Sequence, residues 1–326
     1  MHSRRLLPLL LCPLVFLGGC WNGRLLLYFE RPYWVSLGED RPLRLGFERE
    51  ALRDGYLPSL VISTETEDPL TRLTRELSRG RFPAAIVSPL ASLSAADFAR
   101  QWPGTTFILV GGTPRDDPPP NCVQLLFDRG PAFRSTGYAA GLAAREEDPA
   151  ADANALVAKV AVFSLSSFAS DGEIQAFQAG VAEALDGAQP AVQTVAEPVD
   201  RTAVQNTLQQ MRRDGAEIFL LHLGALDSYG LQVLQDAGGS AVVADWASSQ
   251  TNPRAVFLSV EEDVQAGIAT ALRTLKAPAA GASGPGSTNT GASAGRVVQG
   301  SVHIVVGKAR AVPQAARSRV EGRSGP

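Results

Sequence analysis

The sequence predicts an α/β protein with two Rossmann-like lobes, each built on a parallel sheet and joined to the other by a hinge. Short apolar runs without strict alternation, each followed by a helical pattern, are typical of parallel strands covered on both faces. This series occurs twice, before and after the polar bridge at 146–155. A chain of 326 residues is also long enough for two domains of ordinary size.

The N-terminus has the features of an export signal. Arg4 and Arg5 precede an apolar segment, 6–17, that is too short to span a bilayer. The segment ends in "LGGC" at Cys20, which resembles the lipobox of bacterial lipoproteins. We therefore expect a signal peptide over 1–19 and a lipid on Cys20. The alternative is an ordinary signal peptide followed by an incidental cysteine.

The first lobe is predicted over 20–145, with a later segment returning to it. Asp68 is a favourable N-cap with proline at the next position, and leucines recur at helical spacing until Gly80. The stretch "ERPYW" after the first strand is predicted as a loop. The expected strands are "RLLLYF", "SLVIS", "AAIVS", "TTFILV" and "CVQLLF".

The second lobe is predicted over 146–260, and a helix over 261–275 returns toward the hinge. Glycine, alanine and serine dominate 276–295, a composition typical of a flexible linker. Residues 296–326 are predicted to hold a last strand or hairpin and then a disordered basic tail. The expected strands of this lobe are "KVAVFSL", "AVQTVAE", "EIFLLHL", "SAVVADW" and "AVFLSV".

Composition and motifs argue against two function classes. The net charge of −3 gives no basic footprint, so we expect no nucleic-acid partner. The chain lacks a Walker loop and a His-Glu-x-x-His motif, and its one Gly-x-Ser-x-Gly pattern, at 291–295, lies in the glycine-rich linker and not at the strand-to-helix turn of a nucleophile elbow. The stretch "VGGTPRDDPPP" does not have dinucleotide-binding spacing. We therefore predict neither an enzyme nor a bound cofactor or metal.

Three stretches together resemble a known family. "TTFILVGG", then "CVQLLFDRGPAFRSTGYAAGLAAR" with Gly137 and Gly141, then "EIQAFQAGVAEAL" with Phe177 and Gly180, resemble the basic membrane protein family of solute-binding lipoproteins. That family is a branch of the type I periplasmic-binding-protein fold. The resemblance implies a monomer anchored to a bacterial membrane by its lipid, facing the periplasm or exterior, and working with an ABC permease and ATPase.

The ligand expected from this resemblance is riboflavin. Nucleoside-binding members usually carry Asp followed by Phe-Asn after the first strand, where this chain has "FERPYW". Phe29, Tyr33 and Trp34 at this point make the chain similar to the riboflavin-binding lipoproteins. A purine nucleoside is the alternative ligand, and a ligand-sensing or structural surface lipoprotein is the alternative function.

Four residues are candidates for enclosing a flat ligand. Tyr33 and Trp34 follow the first strand, where doubly wound folds bind ligands, and either ring could instead pack on a neighbouring helix. Asp245 ends a strand of the second lobe and suits hydroxyl groups, unless it caps the next turn. Trp246 would cover the second face of the ligand.

Four more candidates lie at other strand ends. Ser88 and Phe168 follow strands of the first and second lobes, and the serines at these ends could bind ring carbonyls or only cap helices. Asp128 ends "QLLFD", where it would touch the ligand or pair with Arg129 or Arg134. Gly224 allows close approach of the backbone to a ligand.

Overall fold

The computed structural model describes residues 22–38, 41–64, 67–89, 97–112, 117–168, 171–244, 246–276 and 296–321. The signal peptide, Cys20 and most of the linker predicted over 276–295 lie outside these ranges. Among the described residues, no helix combines the length and apolar character needed to cross a bilayer.

The first sheet is entirely parallel in the described ranges, with strand order β11-β5-β4-β3-β1-β2. Its strands are almost wholly apolar because helices cover both faces. They are β1 (Arg24–Glu30), β2 (Leu57–Ser63), β3 (Ala84–Val87), β4 (Thr106–Val110), β5 (Cys122–Phe127) and β11 (Arg296–Gly300).

The second sheet repeats this plan, with order β12-β10-β9-β8-β6-β7 and only β12 antiparallel to its neighbour among the described strands. The predicted fold class is therefore confirmed. The strands are β6 (Val160–Leu165), β7 (Val192–Val195), β8 (Ile218–His222), β9 (Ser240–Val243), β10 (Val256–Glu262) and β12 (Val302–Val306).

Helices pack on both sheets. Those of the first lobe are α1 (Arg31–Ser36), α2 (Arg41–Arg53), α3 (Pro69–Arg79) and α10 (Val264–Lys276). Those of the second lobe are α4 (Gly130–Glu147), α5 (Ala153–Ala158), α6 (Gly172–Ala184), α7 (Arg201–Arg213), α8 (Asp227–Ala237), α9 (Trp246–Thr251) and α11 (Gln314–Glu321).

Two glycines let α4 and α6 approach closely. A Cβ atom on Gly137 would collide with the backbone of Phe177, and one on Gly180 would collide with the backbone of Arg134. The backbones of the two helices are therefore in direct contact. This explains the spacing of glycines that carries the family resemblance.

The chain crosses between the lobes three times. It passes from β5 to α4 through 128–129, from β10 to α10 through Asp263, and from β11 to β12 through Ser301. The Asp263 backbone N–H donates to the Ser301 carbonyl at 3.0 Å, so the second and third crossings lie side by side. Helix α4 packs in the second core, so the first crossing precedes it, whereas the sequence analysis draws the lobe boundary after residue 145.

Two local expectations are wrong. The stretch "ERPYW" is not a loop, because Arg31–Ser36 forms helix α1 with proline in its first turn, where a missing backbone N–H costs nothing. The tail is ordered as far as residue 321. Its helix α11 buries Ala316 and Val320, one turn apart, against the second core.

Candidate functional site

A cavity of about 550 Å³ lies between the lobes, beside the crossings. The first lobe contributes Tyr33, Pro89 and the pair Gly111-Gly112, and the second contributes Ala244, Glu261 and Glu262, with Arg129 at the first crossing. Both groups come from the carboxyl ends of parallel strands or the segments that follow them, the usual binding edge of doubly wound sheets. The volume falls within the range of small-molecule pockets.

A larger hollow, of about 800 Å³, lies elsewhere. Residues of α4, α6 and α11 line it, all of them in the second lobe. Arg319 pairs there with Glu183 at 2.6 Å, and Arg134 lies 3.4 Å from the same carboxylate. Because neither the first lobe nor a strand end contributes to this hollow, the cavity between the lobes is the candidate site.

The first-lobe wall of the cavity is aromatic and flat. The Tyr33 ring stacks on Phe29 with centroids 6.4 Å apart and an interplanar angle of 19°. Gly111 and Gly112 have φ values of +68° and +84°, which glycine adopts without strain. Since neither glycine has a side chain, a flat ligand can approach the backbone there.

The Tyr33 hydroxyl is buried at the hinge end of the cavity and has no partner in hydrogen-bonding geometry among the described residues. Burial raises the pKa of this hydroxyl well above its usual value. The Glu262 carboxylate, which belongs to the other lobe, adds to the same rise, whereas Arg129 opposes it. A donor from one lobe therefore lies beside an acceptor from the other.

Arg129 joins the charged groups at this end. Its guanidinium donates to the Glu173 carboxylate at 3.0 Å and lies 3.7 Å from that of Glu262. Burial raises the pKa of Glu173 to about 7, with Arg129 opposing the shift and Asp171 and Glu262 reinforcing it. Burial also raises the pKa of Glu262, again against the effect of Arg129. One cation therefore lies between two carboxylates that are costly to ionise.

The remaining acidic groups of the cavity have structural contacts. The Glu261 carboxylate lies 3.8 Å from the His303 ring nitrogen and accepts from the Ser249 hydroxyl at 3.3 Å. Asp263 accepts from the Ala266 backbone N–H at 2.9 Å, which caps the start of α10. Of the carboxylates of Glu261, Glu262 and Asp263, that of Glu262 is therefore the one best able to bind a ligand.

A group with metal-ligating chemistry lies next to Arg129. One ligand atom each from Asp171, Glu173 and His222 lies within 4.8 Å of the others. Asp171 also caps α6 through the Glu173 backbone N–H, at 3.0 Å, and its other oxygen contacts His222 Nε2 at 3.3 Å. Burial lowers the pKa of His222, with Asp171 opposing the shift. The guanidinium already bound to Glu173 disfavours a second cation here.

The two predicted stacking residues face different ways. Tyr33 lines the cavity as expected. Trp34 is 3% exposed and packs on Phe29 and Phe47, with centroids 5.3 and 6.1 Å away. The expectation that Trp34 stacks on a ligand is therefore wrong for this structure, since its ring belongs to the core of the first lobe.

Ser88 and Asp128 are also engaged in local structure. Ser88 is fully buried, accepts from the Glu30 backbone N–H at 3.0 Å and donates to the Glu30 carboxylate. Asp128 is exposed and accepts from the Gly130 backbone N–H at 3.2 Å, at the start of α4. Neither side chain lines the cavity, although Pro89, next to Ser88, does.

The other predicted site residues lie at the expected strand ends or outside the described residues. Gly224 follows β8 with a φ of +58° and begins a short 3₁₀ helix. Phe168 ends the 3₁₀ turn after β6, and Trp246 begins α9. The side chains of Phe168 and Trp246 and the whole of Asp245 lie outside what the structure describes.

Arg129, Glu262 and the glycine pair line the cavity but were not predicted as site residues. Each follows or ends a predicted strand, and this position was the available signal for all of them. Glu262 ends the run "AVFLSVEE", whose apolar part alone entered the prediction.

Solved structures with the same two-lobed architecture are similar to this chain. A transcriptional activator of the comK gene from Bacillus halodurans aligns over 92% of this chain and 95% of its own, with 15% identity and a TM-score of 0.66. An ABC transporter solute-binding protein from Aeropyrum pernix K1 aligns over 92% and 85%, with 14% identity and a TM-score of 0.62. The chain has the type I periplasmic-binding-protein fold.

A Caulobacter myo-inositol binding protein, solved with myo-inositol, shares the same fold. It aligns over 87% of this chain and 93% of its own, with 16% identity and a TM-score of 0.57. At these identities the likeness concerns the fold alone. Neither a family model nor a curated protein sequence matches the chain.

Proposed function

We propose that the chain is a solute-binding protein that captures a small polar molecule between its lobes and presents it to an ABC-type importer. The observation that carries this proposal is the cavity of about 550 Å³, to which strand ends of both lobes contribute. A ligand that bridges both walls stabilises the closed arrangement by the difference in its affinity for the closed and open states. Two of the structures compared above are solute-binding proteins.

Riboflavin is the ligand to test first, and a purine nucleoside is the alternative. The Tyr33 ring offers a stacking surface, and Gly111, Gly112 and Ala244 leave space for a flat ring. The Glu262 carboxylate can accept hydrogen bonds from hydroxyl or ring N–H groups. Because Trp34 belongs to the core, the stacking rests mainly on Tyr33, with the His303 ring as the other ring that lines the cavity among the described residues.

The place of action follows from the N-terminal sequence. A signal peptide over 1–19 and a lipid on Cys20 would hold the two lobes at the outer face of a bacterial membrane. The partners would be a membrane permease and a cytoplasmic ATPase. Replacement of Cys20 by serine, followed by separation of membrane and soluble fractions, tests the anchor: the variant protein should leave the membrane fraction.

Lobe closure is the measurement that tests the binding function. Leu57 and Gln193 are exposed and lie on β2 and β7, edge strands of the two sheets, so cysteines at both positions can carry a fluorophore pair. Energy transfer should change in a saturable way on addition of riboflavin, inosine or adenosine. A pair with both labels on the first lobe, at 57 and 97, is the control and should not respond.

Two further outcomes separate the ligand from the function. Protein purified from cells grown with riboflavin should absorb in the flavin bands if riboflavin is the ligand. If lobe closure occurs only with another solute, such as a polyol, the binding function stands and the riboflavin assignment is wrong. If none of a broad panel of sugars, nucleosides and vitamins closes the lobes, the solute-binding function is wrong.

A further inference from the structure

The hinge end of the cavity holds a donor from one lobe and an acceptor from the other, Tyr33 and Glu262, which lie beside each other. The Tyr33 hydroxyl is buried without a partner in hydrogen-bonding geometry among the described residues. The Glu262 side chain is 21% exposed, and its contact with Arg129, at 3.7 Å, is longer than a hydrogen bond. Both residues line the cavity.

Such an arrangement is suited to a ligand group that inserts between Tyr33 and Glu262. A buried hydroxyl without a partner costs free energy, and native structures usually tolerate one where a function requires it. Tyr33 comes from α1 of the first lobe, and Glu262 ends β10 of the second. A ligand atom that accepts from Tyr33, next to one that donates to Glu262, would satisfy both groups and bridge the lobes.

The neighbouring walls select the shape of that ligand group. Gly111, Gly112 and Ala244 carry at most a methyl group, and the Pro89 ring lies beside Gly111. These walls suit a planar group better than a puckered one. The edge of a lactam or imide, a ring carbonyl next to a ring N–H, is a planar group with an acceptor beside a donor.

We propose that the hinge end of the cavity recognises the lactam or imide edge of a planar ring, with Tyr33 donating to the ring carbonyl and Glu262 accepting from the ring N–H. This inference rests on the proposed solute-binding function and specifies its ligand class. The flavin ring has an imide edge and the inosine base has a lactam edge, whereas the adenosine base has neither.

Ligands that differ only at this edge test the inference. Calorimetry of the wild-type protein compares riboflavin with 3-methylriboflavin, and inosine with 1-methylinosine and adenosine. Loss of the ring N–H leaves Glu262 without its donor, so the methylated or amino-substituted ligand should bind about tenfold to a hundredfold more weakly.

Two substitutions assign the effect to the residues. Tyr33→Phe keeps the ring and removes the donor, so binding of the unmethylated ligand should weaken about threefold to tenfold. Glu262→Ala removes the acceptor, so the difference between the methylated and unmethylated ligands should largely disappear. Thermal unfolding of each variant confirms that it is folded before binding is measured.

The chain offers a matched control for each substitution. Tyr56→Phe removes a hydroxyl from a buried tyrosine directly before β2, at the amino end of that strand, whereas the cavity lies at the carboxyl ends of the strands. Glu217→Ala removes a carboxylate that lies 3.7 Å from an arginine, Arg310, as Glu262 does from Arg129. Both controls should bind all ligands as the wild-type protein does.

Failure of this inference differs from failure of the proposed function. If riboflavin or inosine binds but methylation at the ring nitrogen has no effect, the lactam subsite is wrong and solute binding stands. The same holds if the lobes close only on ligands without such an edge, such as myo-inositol. If no solute closes the labelled lobes, both proposals are wrong.

Discussion

The two lobes share one architecture but present different surfaces to the cavity. The first lobe contributes the Tyr33 ring, two glycines and a proline, and its buried Glu30 is bonded to Ser88 within the lobe. The second contributes Glu261 and Glu262. Ser36 and Gln265 add polar groups to the first-lobe wall, but the carboxylates of the two walls come from the second lobe and the crossing beside it. A repeated fold can therefore place most ring contacts on one wall and the negative charge on the other.

Neighbouring residues show the same division on a smaller scale. Tyr33 and Trp34 are consecutive in α1, and successive side chains in a helix point about 100° apart. One ring therefore reaches the cavity while the other enters the core.

The largest effect is expected for Trp34→Ala. Removing a buried ring that contacts Phe29 and Phe47 should lower the free energy of unfolding by about 3–5 kcal/mol. Denaturant unfolding measures the loss, with Tyr33→Ala, which should cost less, as the comparison. A loss below about 1 kcal/mol for Trp34→Ala would contradict its role in the core.

Arg129→Met should have the next largest effect. It leaves the Glu173 and Glu262 carboxylates without their shared cation in a partly buried place, so the free energy of unfolding should fall by about 2–3 kcal/mol at pH 8. Arg145→Met is the control, because its partner Asp186 is 77% exposed, and it should cost less than about 1 kcal/mol. Equal losses would show that the ion pairs of Arg129 stabilise the protein no more than an exposed surface pair does.

Glu173→Gln should change how stability depends on pH. Burial raises the pKa of Glu173 to about 7 in the folded protein, because the buried carboxyl favours its protonated form. The stability that this protonated form contributes is therefore fully present below the ordinary pKa of glutamate and is lost as pH rises through about 7. The variant should lose this dependence, which we expect to be about 1–2 kcal/mol between pH 5 and pH 8. Urea titrations at several pH values provide the measurement.

Glu183→Gln is the matched control for that pH dependence. A hydrogen bond from Arg319 lowers the pKa of Glu183, so its contribution is present above its ordinary pKa and is lost as pH falls. The two substitutions should therefore change the dependence of stability on pH in opposite directions. Changes in the same direction would contradict the burial of Glu173.

The smallest effect is expected for Asp128→Ala. Its carboxylate bonds one backbone N–H at the start of α4 and is exposed, so the cost should be about 0.5 kcal/mol. Binding of riboflavin or inosine should not change, as measured by calorimetry beside the wild-type protein. Weaker binding would return Asp128 to the site that the sequence analysis assigned to it.

The fold was predictable because its signals are local. Apolar strands such as "TTFILV" and "CVQLLF" are buried on both faces, and Asp68 caps α3 as its position indicates. Helix α1 was not recognised because a proline near a strand end resembles loop chemistry. Helix α11 was not recognised because only Ala316 and Val320 mark its buried face within a basic stretch.

The candidate site was only partly predictable because its polar contacts join distant segments. Arg129 and Glu173 are 44 residues apart, and no local pattern pairs them. Tyr33 could be placed at a strand end, but its choice between cavity and core depends on the rotation of α1. Strand ends therefore indicate where the site lies, and the packing decides which side chains form it.

In the proposed lobe closure the adjacent crossings would be the axis of rotation, and the distance of a group from that axis decides how far the group moves. Asp263 and Ser301 are joined by a hydrogen bond, and Glu262 lies immediately beside them. Groups so near the axis would move little when the lobes rotate, so they could contact a ligand in both the open and the closed arrangement. Groups at the far rim of the cavity would move further, so their contacts with a ligand would differ more between the open and the closed arrangement.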